Sequence, residues 1–308
     1  MSASRPRVRR PGTLIPIALA AAGMALLAGA PSGPGPGTAG DRYRAGEPAS
    51  TRSILPAAEA SRVRERGIAR ARKLGIPAGT HSRAARVVDR FAGTVLDELV
   101  TLDAGGRRVG IVRMRPDGRV VSAIRLGWHA PADRPIRASE AVARATGLAA
   151  TARLAAHGPA AVRRTADAGW RVTWPRTVDG TPVLGDGASV TLFADGTFHA
   201  AAERERVLAP APATRLGRAD AERVARERLR TLLGPGEGAR ARIVASHLAW
   251  VAPNDTFDAG APDAPAPILR LAWVVDVRPT GTLAERLLAL ELYLEAGGGN
   301  LIGGDLLR

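Results

Sequence analysis

The chain has 308 residues, of which 45% are hydrophobic, 24% charged and only 4% aromatic, so its cores must be built largely from Ala, Val and Leu. It contains no cysteine, which excludes disulfides, thiolate catalysis, lipidation at a Cys and Cys-based zinc sites. The net charge of +15 brings nucleic acid to mind. However, the cations are Arg scattered among Ala, Gly and Pro, with Lys73 the single Lys, and they lack the aromatic interleaving that stacks bases.

The N-terminus carries a basic run with Arg5, Arg7, Arg9 and Arg10, followed by an apolar stretch over 14–30 without a charge. This is the pattern of an export signal. The chain is therefore expected outside the cytoplasm: secreted, periplasmic, or held on the outer side of the cytoplasmic membrane. Cleavage after Ala30 or Ala39 and retention of the stretch as an anchor both fit the residues, since 17 apolar positions lie at the lower edge of a bilayer span. The Pro- and Gly-rich run that follows reads as a linker.

Residues 57–75 have helical propensity and little apolar face, so a solvated basic helix or stalk is expected, with contact to anionic lipid as the alternative. Next come β-rich runs at 95–103, 107–115 and 119–126, separated by Ala-Gly-Gly and Pro-Asp-Gly turns that join antiparallel neighbours. Ser139 is placed to cap a helix, with Glu140 in its first turn and Gly158-Pro159 beyond its end.

The plan then returns. Arg137-Ala138-Ser139 matches Arg218-Ala219-Asp220, and Val142-Ala143-Arg144 matches Val224-Ala225-Arg226, at nearly equal offsets. In the second copy, Val172 and Trp174 alternate with polar neighbours, and Val190 and Leu192 lead into the Asp195-Gly196 turn. A helix from Asp220 sets Ala221, Val224, Ala225, Leu229, Leu232 and Leu233 on one stripe, and Gly234-Pro235-Gly236 stops it. Strands follow at 241–251, 268–278 and 286–295, the last with Leu288, Leu290, Leu292 and Leu294 on one face, then a short strand from Leu301. The expected fold class is α+β, built from repeated units of one helix packed on an antiparallel β-meander. Their boundaries are an export segment and linker start at 1–39, a linker with the basic segment at 40–80, and units at 81–136, 137–216 and 217–308.

These residues resemble the propeptides of secreted thermolysin-type and fungalysin-type metalloproteases, an FTP domain followed by a PepSY domain. The FTP-like part is "WRVTWPRTVDGTPVLGDGASVTLFADGTF", and the PepSY-like part runs from "LGRADAERVARERL" to "LAWVVDV" and "LELYLEAGGGNLIGG". "DGRVVSAIRL" and "RASEAVARA" are similar to a further, degenerate PepSY-type unit. The closing turn has Gly298-Gly299-Asn300 where the family has Thr-Gly-Glu, and the family's Gln near Trp174-Pro175 is missing. The resemblance implies a cystatin-like fold. It also implies binding to a metalloprotease, as inhibitor or folding assistant, in trans because the chain ends at Arg308 without a peptidase domain. The alternative is an envelope-anchored structural or sensory module without a protease partner.

A search for chemistry gives no catalytic residue, no cofactor site and no metal site. His81, His129, His157, His199 and His247 are too far apart in sequence for an H-E-x-x-H zinc motif, and His199 with Glu203 lies on a strand, which does not bring i and i+4 together. The run Gly187-Ala188-Ser189-Val190-Thr191 lacks the closing Gly of a nucleophile elbow. In the acidic loop 254–267, Asn254, Asp255, Asp258 and Asp263 lack calcium-loop spacing. Trp128, Trp170, Trp174, Trp250 and Trp273 are expected in the core rather than in a peptide groove. The three Asp-Gly pairs between 179 and 196 read as two hairpin turns around a bulge or kink at Asp186-Gly187.

Overall fold

The structure is a computed structural model that describes residues 52–88, 94–127, 129, 134–165, 169–254, 256–257, 268–285 and 287–307. The apolar stretch 14–30, Trp128 and most of the acidic loop lie outside these residues. Fourteen strands form one mixed sheet: β1 Arg52–Ser53, β2 His81–Val88, β3 Val95–Leu102, β4 Arg108–Met114, β5 Val120–Arg125, β6 Ala161–Arg164, β7 Trp170–Val178, β8 Thr181–Leu192, β9 Phe198–Arg204, β10 Val207–Leu208, β11 Arg242–Val251, β12 Ile268–Arg278, β13 Ala289–Glu295 and β14 Leu301–Leu307. Among the described residues three α-helices pack on it: α1 Ala57–Lys73, α2 Ala138–Ala152 and α3 Arg218–Arg240.

This overturns the expected fold class of separate helix-on-meander units. The main path runs β1-β2-β3-β4-β5-β9-β8-β11-β12-β13-β14, with β7 and β6 continuing from β8, so pairing crosses the expected boundaries at 80/81, 136/137 and 216/217. Ser122, Ala123 and Ile124 of β5 pair with Ala202, Ala201 and Ala200 of β9. Trp250 pairs in parallel with Val183, and β10 runs parallel to β12. The physical reason is the edge: a free-standing meander leaves a row of unpaired backbone groups on each side, and neighbouring strands satisfy them. Turn signals in a sequence do not report that pairing.

One core row makes the continuity concrete. Ala84, Leu99, Val112, Ala123, Ala201, Val190, Val172 and Val162 stand opposite one another across eight strands from β2 to β6. Most of the row is buried; the C-terminal part of α1 and all of α2 pack into one core cluster around it, while Ala84 joins Leu55, Ala60 and Val63 in a smaller one. Helix α2 meets the sheet through Ala141, Ala145, Ala149 and Ala152, all fully buried, whose small side chains let its backbone lie close.

Helix α1 is docked rather than solvated. Ala60, Val63, Gly67 and Ala71 form its buried face, and a Cβ on Gly67 would stand 2.8 Å from Leu99 Cβ. The face is made of small residues spaced by Arg, so it gave little hydrophobic periodicity. Helix α2 starts one residue before its expected cap: Arg137 is the N-cap residue, and its N–H donates to the Glu140 carboxylate at 3.0 Å. Helix α3 breaks at Gly234, where the expected stop falls, and resumes for a short second segment.

Behind α3, Leu290, Leu292 and Leu294 are fully buried as expected, together with Val275 and Val277. Leu288 departs from the alternation; it precedes β13 and is exposed. The Asp-Gly pairs behave as read. Asp179 and Gly180 take positive φ at one hairpin, Gly196 does so at another, and between them β8 bulges. Gly187 stands opposite Pro175, but Pro182 already faces Thr177. Gly187 has φ 124°, and a Cβ there would lie 2.2 Å from the Trp174 carbonyl oxygen. Asp186 sits fully buried in the bulge and accepts from Arg206 through its backbone N–H and its Nε, both at 2.7 Å, and from Arg176 Nη1 at 3.2 Å.

Candidate binding face

The helix side of β2 to β9 is filled by α1 and α2, which leaves the residues of opposite parity on a face that none of the three helices covers. Two rows cross it in register. The first is Arg83, Val100, Ile111, Ile124, Ala200, Thr191, Arg171 and Arg163. The second is Ala85, Glu98, Arg113, Ser122, Ala202, Ser189, Thr173 and Ala161, on the same eight strands. At the usual strand spacing each row spans about 34 Å. Its middle is apolar or small, its β6–β7 end is lined by hydroxyls, and cations stand at both ends of the first row.

The charges on this face fall into two kinds. Glu98 is buried and holds Arg52 and Arg113, the latter at 2.9 Å, which fixes the outer strands. Arg171 is different. Its Nε reaches only the Thr191 hydroxyl at 3.4 Å, and no carboxylate among the described residues is bonded to it. Burial and then the facing Arg163 lower the Arg171 guanidinium below its ordinary value.

The histidines do not converge. His81 is exposed at the start of β2. His129 lies 3.0 Å from the Asp195 carboxylate and stacks on Phe193 at 4.0 Å, with His199 on the other side of that ring at 4.5 Å. Burial pushes the Asp195 carboxyl up, but the Thr197 N–H, its hydroxyl and His129 outweigh it and hold the carboxyl low. This group fastens the Asp195-Gly196 turn. His199 and Glu203 are separated as expected: Glu203 accepts from Arg119 and from the Ala155 N–H. Ser189 sits mid-strand between Thr173 and Ala202. Trp170, Trp174 and Trp250 are buried, and Trp273 donates from its indole to the Leu216 carbonyl at 3.0 Å.

On β12 to β14, the face away from α3 carries Asp276, Glu291 and Asp305 side by side on adjacent strands. Tyr293 donates to Asp305 at 2.5 Å and more weakly to Glu291 at 3.4 Å. Burial first, then Asp276 and Asp305, push the Glu291 carboxyl up to about 7. Among the described residues no three acids or histidines are placed to hold a metal ion. Of the acidic loop, Asn254 is committed to the edge of β14: its Oδ1 accepts from the Gly304 N–H and its Nδ2 donates to the Gly304 carbonyl, both at 2.9 Å.

A basic hollow between α1 and α2 is lined by Arg66, Arg70, Lys73 and Arg153. Two of these cations are already engaged, Arg66 with Asp97 and Arg70 with the Thr151 carbonyl at the end of α2.

No family model matches the chain, and no curated protein matches it. Among solved structures it is similar to the Bacillus megaterium YpeB C-terminal domain, with 12% identity over 83% of this chain and 99% of that one, at a TM-score of 0.36. At that score neither residue positions nor a role pass from one chain to the other.

Proposed function

We propose that this chain is a non-catalytic, exported module of PepSY type that binds a protein partner across the helix-free face of β2 to β9. The partner is a secreted thermolysin-type metalloprotease, inhibited or assisted in folding in trans. The observation that carries the reading is the pair of rows in register over eight strands, with small, hydroxyl-bearing or apolar side chains in the middle and cations at the rim. Such a face accepts a flat or extended surface, because its floor of Ala200, Ala202 and Ser189 leaves room for a partner's side chains. The protease identity comes from the resemblance of residues 170–198 and 216–304 to the FTP and PepSY propeptides.

The test is capture of secreted thermolysin-type proteases on immobilised protein, with residual protease activity as the second readout. Wild type should retain the protease and change its activity, and Ala200→Trp, which fills the floor, should lose both. Absence of capture and of inhibition across such proteases overturns the partner.

A further inference from the structure

The same face has one end built for a particular chemistry. Among the described residues strand β6 pairs only with β7, and all four of its residues are exposed. In the β6–β7 hairpin the Thr165 N–H donates to the Gly169 carbonyl at 3.0 Å. Antiparallel alternation then makes Arg163 and Arg171 a hydrogen-bonded pair and turns the N–H and carbonyl of Val162 away from β7. The opposite sheet end is closed to such use. There Asn254 and Thr256 of the same chain bond the outer backbone of Gly304, and the Asn254 N–H donates to the Ile302 carbonyl.

Next to the outward backbone of β6 stand two guanidinium groups directly opposite each other. Like charges in that position oppose strand pairing, and Arg171 has a hydroxyl rather than a carboxylate as its partner. Beside them stand the half-buried Thr173 and Ser189, whose hydroxyls can donate to an oxyanion, and the buried Thr191, whose hydroxyl accepts from Arg171. An anion at Arg171 would give that guanidinium a charge-assisted bond in place of the hydroxyl it reaches.

We infer that β6 and the Arg163–Arg171 pair form a docking strip for an acidic, extended segment of a partner protein, which adds as a strand beside β6. This rests on the reading of the helix-free face as a protein-binding surface and narrows it to the partner's chemistry. Alternate side chains of an added strand fall on the face of Arg163 and Arg171, so Asp or Glu at every second position is the pattern that fits.

The test is fluorescence polarisation with a labelled eight-residue peptide of alternating Glu and Thr, against its Lys and Thr counterpart, using the full chain. Wild type should bind the acidic probe with a strong salt dependence and ignore the basic one. Arg171→Gln should weaken binding at least tenfold, as should Val162→Pro, which removes an outward N–H without touching the β6–β7 bonds. Arg230→Gln, on the exposed side of α3, should leave binding unchanged. Circular dichroism checks that each variant folds, and should Val162→Pro not fold, the Arg163→Gln/Arg171→Gln pair carries the test.

Equal affinity for both peptides, or full binding by Val162→Pro, overturns the inference. So does binding to phosphatidylglycerol vesicles in place of the peptide. If proteases are captured but the acidic peptide is not bound, this inference fails and the binding face stands; if neither is bound, both fail.

Discussion

The two ends of the sheet solve the same packing problem and then diverge. Toward the helices both bury an aliphatic row, Leu99 to Val172 under α1 and α2 and Leu290 to Leu294 under α3. On the other face, β6 and β7 set Arg163 opposite Arg171, whereas β12 to β14 set three carboxylates abreast. In the acidic row Tyr293 stands between Asp305 and Glu291 and burial favours the protonated form of Glu291, while Asp276 Oδ1 is buried without a hydrogen-bond partner among the described residues. The basic pair has no such partner at Arg171. The difference is that the acidic row shares one tyrosine hydroxyl between two strands, whereas Arg171 reaches a hydroxyl and no carboxylate among the described residues.

The joint between the two regions is the place to break this comparison hardest. Asp186→Ala leaves Arg206, which is 9% exposed, without its carboxylate in the β8 bulge. A loss of about 3–5 kcal/mol is expected in urea unfolding, with the two regions then melting in separate transitions. The acidic row comes next. Glu291 has a folded value of about 7 against an ordinary 4.5, so the stability it confers is fully present below the ordinary value and is lost as pH rises through 7. Glu291→Gln should equal wild type near pH 4 and exceed it by about 3 kcal/mol at most at pH 8. Denaturant titrations of both proteins at the two pH values read this directly.

Smaller effects sharpen the picture. Ala149→Leu forces a larger side chain between α2 and the sheet and should cost about 1–3 kcal/mol, read as a lower midpoint. Arg163→Thr removes a cation facing Arg171 and should weaken binding of the acidic peptide, read by the same fluorescence polarisation.

The local elements were legible in the sequence because their signals are local. Asp-Gly pairs marked two hairpins and a bulge, the Leu290 to Leu294 alternation marked a buried face, and Gly234 marked the break in α3. The joining of β5 to β9 was not legible, since Ser122 and Ala202 are far apart in sequence and nothing in their composition announces a partner. The binding face was hidden for the same reason. Arg83, Thr191 and Arg171 share a row only through register, and one residue of slippage would send each to the other side. Nor did any spacing foretell the stack of His129, Phe193 and His199, which depends on a loop meeting a β-bulge.

The central claim is that the helix-free face of β2 to β9 is where a partner sits, and hydroxyl-radical footprinting of the free and partner-bound chain addresses it most directly. Protection is expected at Arg83, Ile111, Ile124 and Arg171, with the exposed residues of α1 and α3 unchanged. Protection confined to the helices, with those four side chains as reactive as in the free protein, would contradict it.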